Sequence, residues 1–120
     1  MASVGEEQVI KEVGTGKLFE NDDIVMWEFV LEPGDSVPCH LHVHDYVMYV
    51  LEGSRLEVFF EDGSEFAAFD AEPGAIIPLV CEGDWLVDKL GLGYKVPAAH
   101  SARNGGTTRY REILVETKRH

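Results

Sequence analysis

The stretch Cys39-His40-Leu41-His42-Val43-His44-Asp45-Tyr46-Val47-Met48-Tyr49-Val50-Leu51-Glu52-Gly53 decides the fold. It reads as one β-strand. Side chains alternate faces along a strand, so His40, His42, His44 and Tyr46 share one face while Leu41, Val43, Val47 and Tyr49 take the other. The histidine face continues as Met48 and Val50. It is polar at one end and apolar at the other, the pattern of a strand lining a pocket inside a barrel. Imidazole is the commonest metal ligand, and several on one face point to metal binding.

Geometry limits how many of these histidines serve one ion. Alternate residues on a strand lie roughly 6.5–7 Å apart at Cα, so His40 with His42, or His42 with His44, could reach a common metal. The outer pair would be about 13 Å apart, too far for all three to converge easily. A further ligand must then come from elsewhere, and His100 is the remaining internal histidine. The competing reading of a His-x-His pair is a hydrogen-bonded surface feature. Cys39 sits on the face opposite the imidazoles, which suits a buried structural thiol.

Composition narrows the partners. The chain has 120 residues, enough for one core without staples, and 22 acidic against 10 basic residues give a net charge of -12. That charge repels phosphate backbones, so no nucleic-acid partner is expected. Apolar runs such as Val47–Leu51 fall far short of the ~20 residues of a spanning helix, so no membrane partner is expected either. Two cysteines without a secretion signal suit a reduced, cytoplasmic protein.

In chain order, a flexible polar tail is expected over 1–8, then a strand over Val9–Val13. Ile24–Leu31 is rich in β-branched and aromatic residues and closes on Glu32-Pro33-Gly34-Asp35, a turn signature. After the histidine strand come Arg55–Phe60, a hairpin at Asp62-Gly63, Glu65–Phe69, Ala75–Val80, Trp85–Lys89 and Thr108–Glu116. Glycine turns separate them and no segment shows helical period, so the fold class is all-β. Glu32-Pro33-Gly34-x-x-x-Pro38 is echoed by Glu72-Pro73-Gly74-x-x-x-Pro78. Two similar Greek keys would produce such an echo.

The spacing Gly34, five residues, His40-x-His42, three residues, position 46, six residues, Gly53 resembles the first signature of the cupin superfamily. Pro97-Ala98-Ala99-His100, three residues, Asn104 resembles the closing half of the second. The resemblance covers roughly residues 24–115. It implies a double-stranded β-helix, or jelly-roll barrel, as one domain over 9–117 with a short basic tail at 118–120. It also implies one divalent transition metal (iron, zinc, manganese or nickel) held by His40, His42 and His100. Cupins usually carry Glu or Gln where this chain has Tyr46, and glycine where it has Pro97.

From these features we expect a small metal-dependent enzyme acting on a small anionic or oxygenated substrate, by dioxygenase or Lewis-acid isomerase or lyase chemistry. Tyr46, or else His44, would move the proton. The alternatives are a non-catalytic ligand-binding or sensor domain and a metal-free structural domain. Trp27, Phe29, Phe59, Phe60, Phe66, Phe69 and Trp85 are expected in the core or a subunit interface. Arg103, Arg109 and Arg111 are expected in surface salt bridges. The aromatic strands and the cupin resemblance suggest a homodimer.

Overall fold

Strict alternation of inward and outward residues runs through the two longest strands, β2 (Ile24–Leu31) and β11 (Tyr110–Thr117). Val25, Trp27, Phe29 and Leu31 are buried on β2; Tyr110, Glu112, Leu114 and Glu116 are buried on β11. The structure, a computed structural model, describes residues 13–91 and 93–118. Among these lie β1 (Gly16–Glu20), β3 (Ser36–Leu41), β4 (Tyr46–Glu52), β5 (Arg55–Phe60), β6 (Glu65–Asp70), β7 (Ile76–Glu82), β8 (Trp85–Asp88), β9 (Lys95–Pro97) and β10 (Ala99–Asn104). One sheet has the order β1-β2-β11-β4-β7-β8-β9 and the other β3-β10-β5-β6, with antiparallel pairing throughout. The all-β double-stranded barrel expected from the sequence is the observed architecture.

The core forms two clusters between the sheets. Val13, Val25, Trp27, Tyr46, Leu79, Leu86, Ala98 and Leu114 make one. Phe29, Leu31, Val50, Ala102 and Tyr110 make the other. Asn104 is fully buried yet satisfied. Its amide donates to the Leu31 and Thr108 carbonyls at 2.9 and 2.8 Å and its oxygen accepts from Ser54 Oγ and the Gly106 N–H at 2.7 and 2.9 Å. One side chain thereby joins the end of β2, the turn between β4 and β5 and the loop between β10 and β11.

The histidine stretch is not one strand. β3 ends at Leu41 in the smaller sheet, β4 begins at Tyr46 in the larger one, and residues 42–45 cross between them. A strand that must switch sheets bends at the corner, where its ladder bonds are replaced by others. The His42 N–H donates to the Ala98 carbonyl at 3.0 Å, while Asp45 accepts from the Cys81 and Thr117 N–H groups at 2.9 Å each. The Cys81 thiol approaches the His42 carbonyl at 3.7 Å, and both cysteines are free.

Three strands escaped the sequence reading. β1 is a short, mostly exposed edge strand; β9 has three residues; β10 is Ala-His-Ser-Ala-Arg-Asn, with no β-branched residue to mark it. The repeated turn is structural. Gly34 and Gly74 have φ of +88° and +89°, and the Asp35 and Ala75 N–H groups close onto the Glu32 and Glu72 carbonyls. Glycine alone takes that φ without strain, and the two turns lead into β3 and β7, one in each sheet. Gly53 has another reason to be glycine, since a Cβ there would lie 2.2 Å from the Ala71 carbonyl oxygen.

The expected tail over 1–8 and all of Val9–Val13 except Val13 lie outside the described residues, as do 119 and 120. Lys118 is docked, its N–H on the Asp23 carbonyl at 2.8 Å and its amine on Glu20 at 2.5 Å. Among the described residues, no helix is long and apolar enough to cross a membrane.

Candidate metal centre

His40 and His100 arrive from neighbouring strands. They are direct partners in the β3–β10 ladder, immediately before a register shift between His100 and Ala102, and their ring centroids are 4.6 Å apart. His42 comes from the corner that follows β3, with its ring centroid 4.9 Å from each of the other two. One ligand atom from each of the three lies within 4.8 Å of the others, and all three residues are buried. The corner is what turns His42 onto the pair.

The tautomers are set by the backbone. His40 Nδ1 lies 3.0 Å from the Pro38 carbonyl and His100 Nδ1 lies 2.6 Å from the Pro97 carbonyl. A carbonyl only accepts, so each Nδ1 carries the hydrogen and each Nε2 keeps its lone pair. His42 Nδ1 is buried with no hydrogen-bond partner. Leaving a polar nitrogen in that state costs about 1–3 kcal/mol. Burial lowers the pKa of His40, and burial with repulsion from the neighbouring rings takes that of His42 well below the ordinary value and brings that of His100 down to about 3. Three neutral imidazoles with converging lone pairs are the protonation state that metal ligation needs. These residues fit a divalent transition metal and could hold one.

The histidines belong to the wall of a cavity of about 170 Å³ between the sheets. The wall is mainly apolar, with Met48, Leu56, Val58, Ile77, Leu79 and Leu114 among its residues. Phe29 and Phe69, expected in the core or an interface, line it too. Tyr46 stacks on His42, centroid to centroid 4.6 Å and 22° between planes, and is part of the same wall. Burial and the nearby Glu112 raise its pKa well above the usual phenol value, so it remains an O–H donor. His44 lies outside the triad and the cavity wall.

Glu112 was missed by sequence reasoning. Arg111, Ile113 and Val115 look like the face with apolar weight, which would leave Glu112 and Glu116 to solvent. Alternation from Tyr110 and Leu114 is the signal that places them inside. Glu112 is 4% exposed and lines the cavity, where Tyr110 donates its hydroxyl hydrogen to Oε1. Glu116 is also buried and accepts from Trp27 Nε1 at 2.7 Å. The three arginines stay outside as expected, Arg103 on Glu57, Arg109 on Glu52 and Arg111 on Glu28, at 2.7–2.9 Å.

No protein-family model matches the sequence, and no curated protein matches it either. Solved structures do match. A cupin domain from Bordetella pertussis Tohama I superposes with a TM-score of 0.60 at 18% identity, over 89% of this chain and 98% of that one. The fold is the cupin fold. An RmlC-like cupin with a double-stranded β-helix from Methanocaldococcus jannaschii matches at 0.53 and 14%, over 85% of this chain and 76% of that one. The polyketide cyclase RemF from Streptomyces resistomycificus matches at 0.53 and 21%, over 98% and 79%. In this cupin barrel the histidine cluster sits where strands of the smaller sheet meet the sheet-crossing corner, beside a ready cavity.

Proposed function

We propose that this cupin is a small metal-dependent enzyme acting on a small oxygenated organic molecule held in the barrel. One observation carries the reading: three buried, neutral imidazoles converge within 4.8 Å in the wall of an otherwise apolar cavity, with His42 Nδ1 left unpartnered. His40, His42 and His100 would hold the ion. When bound, it would supply Lewis-acid polarisation of a carbonyl or enolate oxygen and, if it is iron, chemistry with dioxygen.

The chain's own residues set the rest. A cavity of this size suits a molecule of about the bulk of benzene. Its apolar walls would exclude water and hold the body of the substrate, while Tyr46, stacked on His42 in the same wall, would offer its hydroxyl as a hydrogen-bond donor. Tyr46 is neutral where many cupins have a carboxylate, so the protein contributes no negative charge at that position. That favours a substrate that is anionic once bound.

Elemental analysis of untagged protein tests the centre. About one equivalent of iron, zinc, manganese or nickel per chain is expected, with turnover of small keto acids, hydroxy acids or diketones in one reconstituted form. Metal-free protein that also fails to take up zinc or iron on reconstitution would overturn the reading. Full metal with ligand binding but no turnover across the panel would favour a sensor.

A further inference from the structure

Two edges of the barrel face each other without a ladder between them. β6 is the outer strand of the smaller sheet and β9 that of the larger one, and among the described residues no backbone pairing joins them. Aromatic side chains bridge this seam instead. Phe66 of β6 meets Trp85 of β8 with ring centroids 5.8 Å apart, and Phe69 of β6 meets Tyr94, just before β9, at 6.0 Å. A seam bridged by side chains opens by a change of rotamer, with no ladder hydrogen bond to break.

The two bridges differ in what lies behind them. Phe69 and Tyr94 belong to the wall of the cavity that holds the histidines, whereas Phe66 and Trp85 do not. Of the described wall residues only Asp70, Glu72 and Tyr94 are exposed, and they lie at the Phe69 end of the seam. The cavity therefore opens at Phe69 and Tyr94. Its histidines are remote from that opening: Phe69 pairs with Leu56 and Leu56 with Asn104, while His100 pairs with Phe60, roughly 13 Å back along the same strands.

Tyr94 is anchored from its main chain. Asp88, buried, accepts the Leu90 and Gly93 N–H groups at 2.9 and 3.1 Å, and its own N–H donates to the Tyr94 carbonyl at 3.0 Å. Gly93 has a φ of +86°, which glycine takes without strain and which sets the direction of the chain entering Tyr94. The backbone is thus fixed while the side chain is at the surface, the residue being 37% exposed. Such a ring changes rotamer fast.

We propose that Phe69 and Tyr94 form the portal of the cavity: small molecules pass between β6 and the start of β9 when the Tyr94 ring swings aside, and the width of that opening selects them by size. The portal extends the three-histidine reading but rests on the cavity alone and needs no ion. A gate slows entry and exit alike, so it sets rates and leaves affinity nearly unchanged. The Tyr94 hydroxyl takes no part.

Fluorobenzene tests this as a neutral probe that does not ligate metal, since an apolar cavity of about 150 Å³ accepts its parent benzene. Its exchange with chelator-treated protein is followed by fluorine NMR, which yields both rates. Tyr94→Ala should raise association and dissociation by about tenfold with Kd changed by less than about threefold, Tyr94→Trp should lower both rates, and Tyr94→Phe should match the native protein. Phe66→Ala, at the other bridge, should leave both rates within about twofold of native. The bulkier 4-fluorotoluene should gain more from Tyr94→Ala than fluorobenzene does. Unchanged rates in Tyr94→Ala, an equal rise in Phe66→Ala, a faster dissociation with no faster association, or no binding of fluorobenzene by the native protein would each overturn the portal. Zinc uptake by the native protein, measured separately, decides the metal reading, so the two fail independently.

Discussion

His40 and His100 face each other across the β3–β10 ladder, and each has its Nδ1 turned onto the carbonyl of a nearby proline, Pro38 and Pro97. Both rings are thereby fixed in one tautomer and one orientation. A proline two or three residues upstream supplies the carbonyl, so the departure at Pro97 does not prevent His100 from being positioned.

His42 is the first residue to remove. It approaches the ladder pair from the corner and has an unsatisfied nitrogen. His42→Ala should lower metal from about one equivalent to near zero while the far-UV spectrum keeps its β-sheet form. His44→Ala, altering a residue outside the cluster, should retain most of the metal. The reverse pattern in elemental analysis would reassign the ligands.

Acid should destabilise the metal-free protein through the same histidines. A depressed pKa in the fold means that the unfolded chain binds protons first as pH drops below 6.5, so stability is full above that value and falls toward the folded value of about 3. For His100 alone the loss at pH 5 is about 2 kcal/mol. Urea unfolding of chelator-treated protein between pH 7.5 and 5 measures it, and saturating zinc should reduce the loss.

Glu112 gives the opposite slope. Its folded pKa of about 7 exceeds the ordinary 4.5, so its contribution is fully present below 4.5 and is lost as pH rises through 7. Glu112→Gln keeps the shape and removes the ionisation. It should be more stable than the native protein at pH 8 by up to about 3 kcal/mol, with a difference near zero at pH 4. Paired denaturation curves at the two pH values check this without any ligand.

Tyr46→Phe should separate holding from reacting. The ring stacked on His42 is kept and the hydroxyl is lost. Metal content should stay within about twofold of native while turnover falls by about 10²-fold, in the range for a lost proton donor. Tyr46→Glu, which adds a negative charge at that position, should weaken binding of anionic chelators.

The outer face of the larger sheet gives a testable assembly. Tyr49 and Ile76 are ladder partners, 43% and 56% exposed, and Ile113 adjoins Tyr49 on the next strand. We propose that a second copy covers this row, making a homodimer. Sedimentation at micromolar concentration should show a dimer for the native chain and mostly monomer for Ile76→Glu. A native monomer would remove the proposal.

The sequence was informative where a short-range pattern carries the structure. Period-two alternation, Pro-Gly turns and the spacing from Gly34 to Gly53 were enough for an all-β cupin barrel and for His40 and His42 as candidate ligands, because side-chain direction and turn conformation are local properties, whereas His100 came from the second motif and as the remaining internal histidine. Tertiary structure decided the rest. The break at residues 42–45 depends on Ala98, Cys81 and Thr117, all remote in sequence, whose groups replace the lost ladder bonds. The direction of β11 depends on its neighbours: alternation defines two faces, but only packing between β2 and β4 shows that the face with Glu112 and Glu116 turns inward. A carboxyl has no unusual chemistry until the fold takes water from it. Its proton affinity is a property of the cavity and could not be read from Glu112 itself.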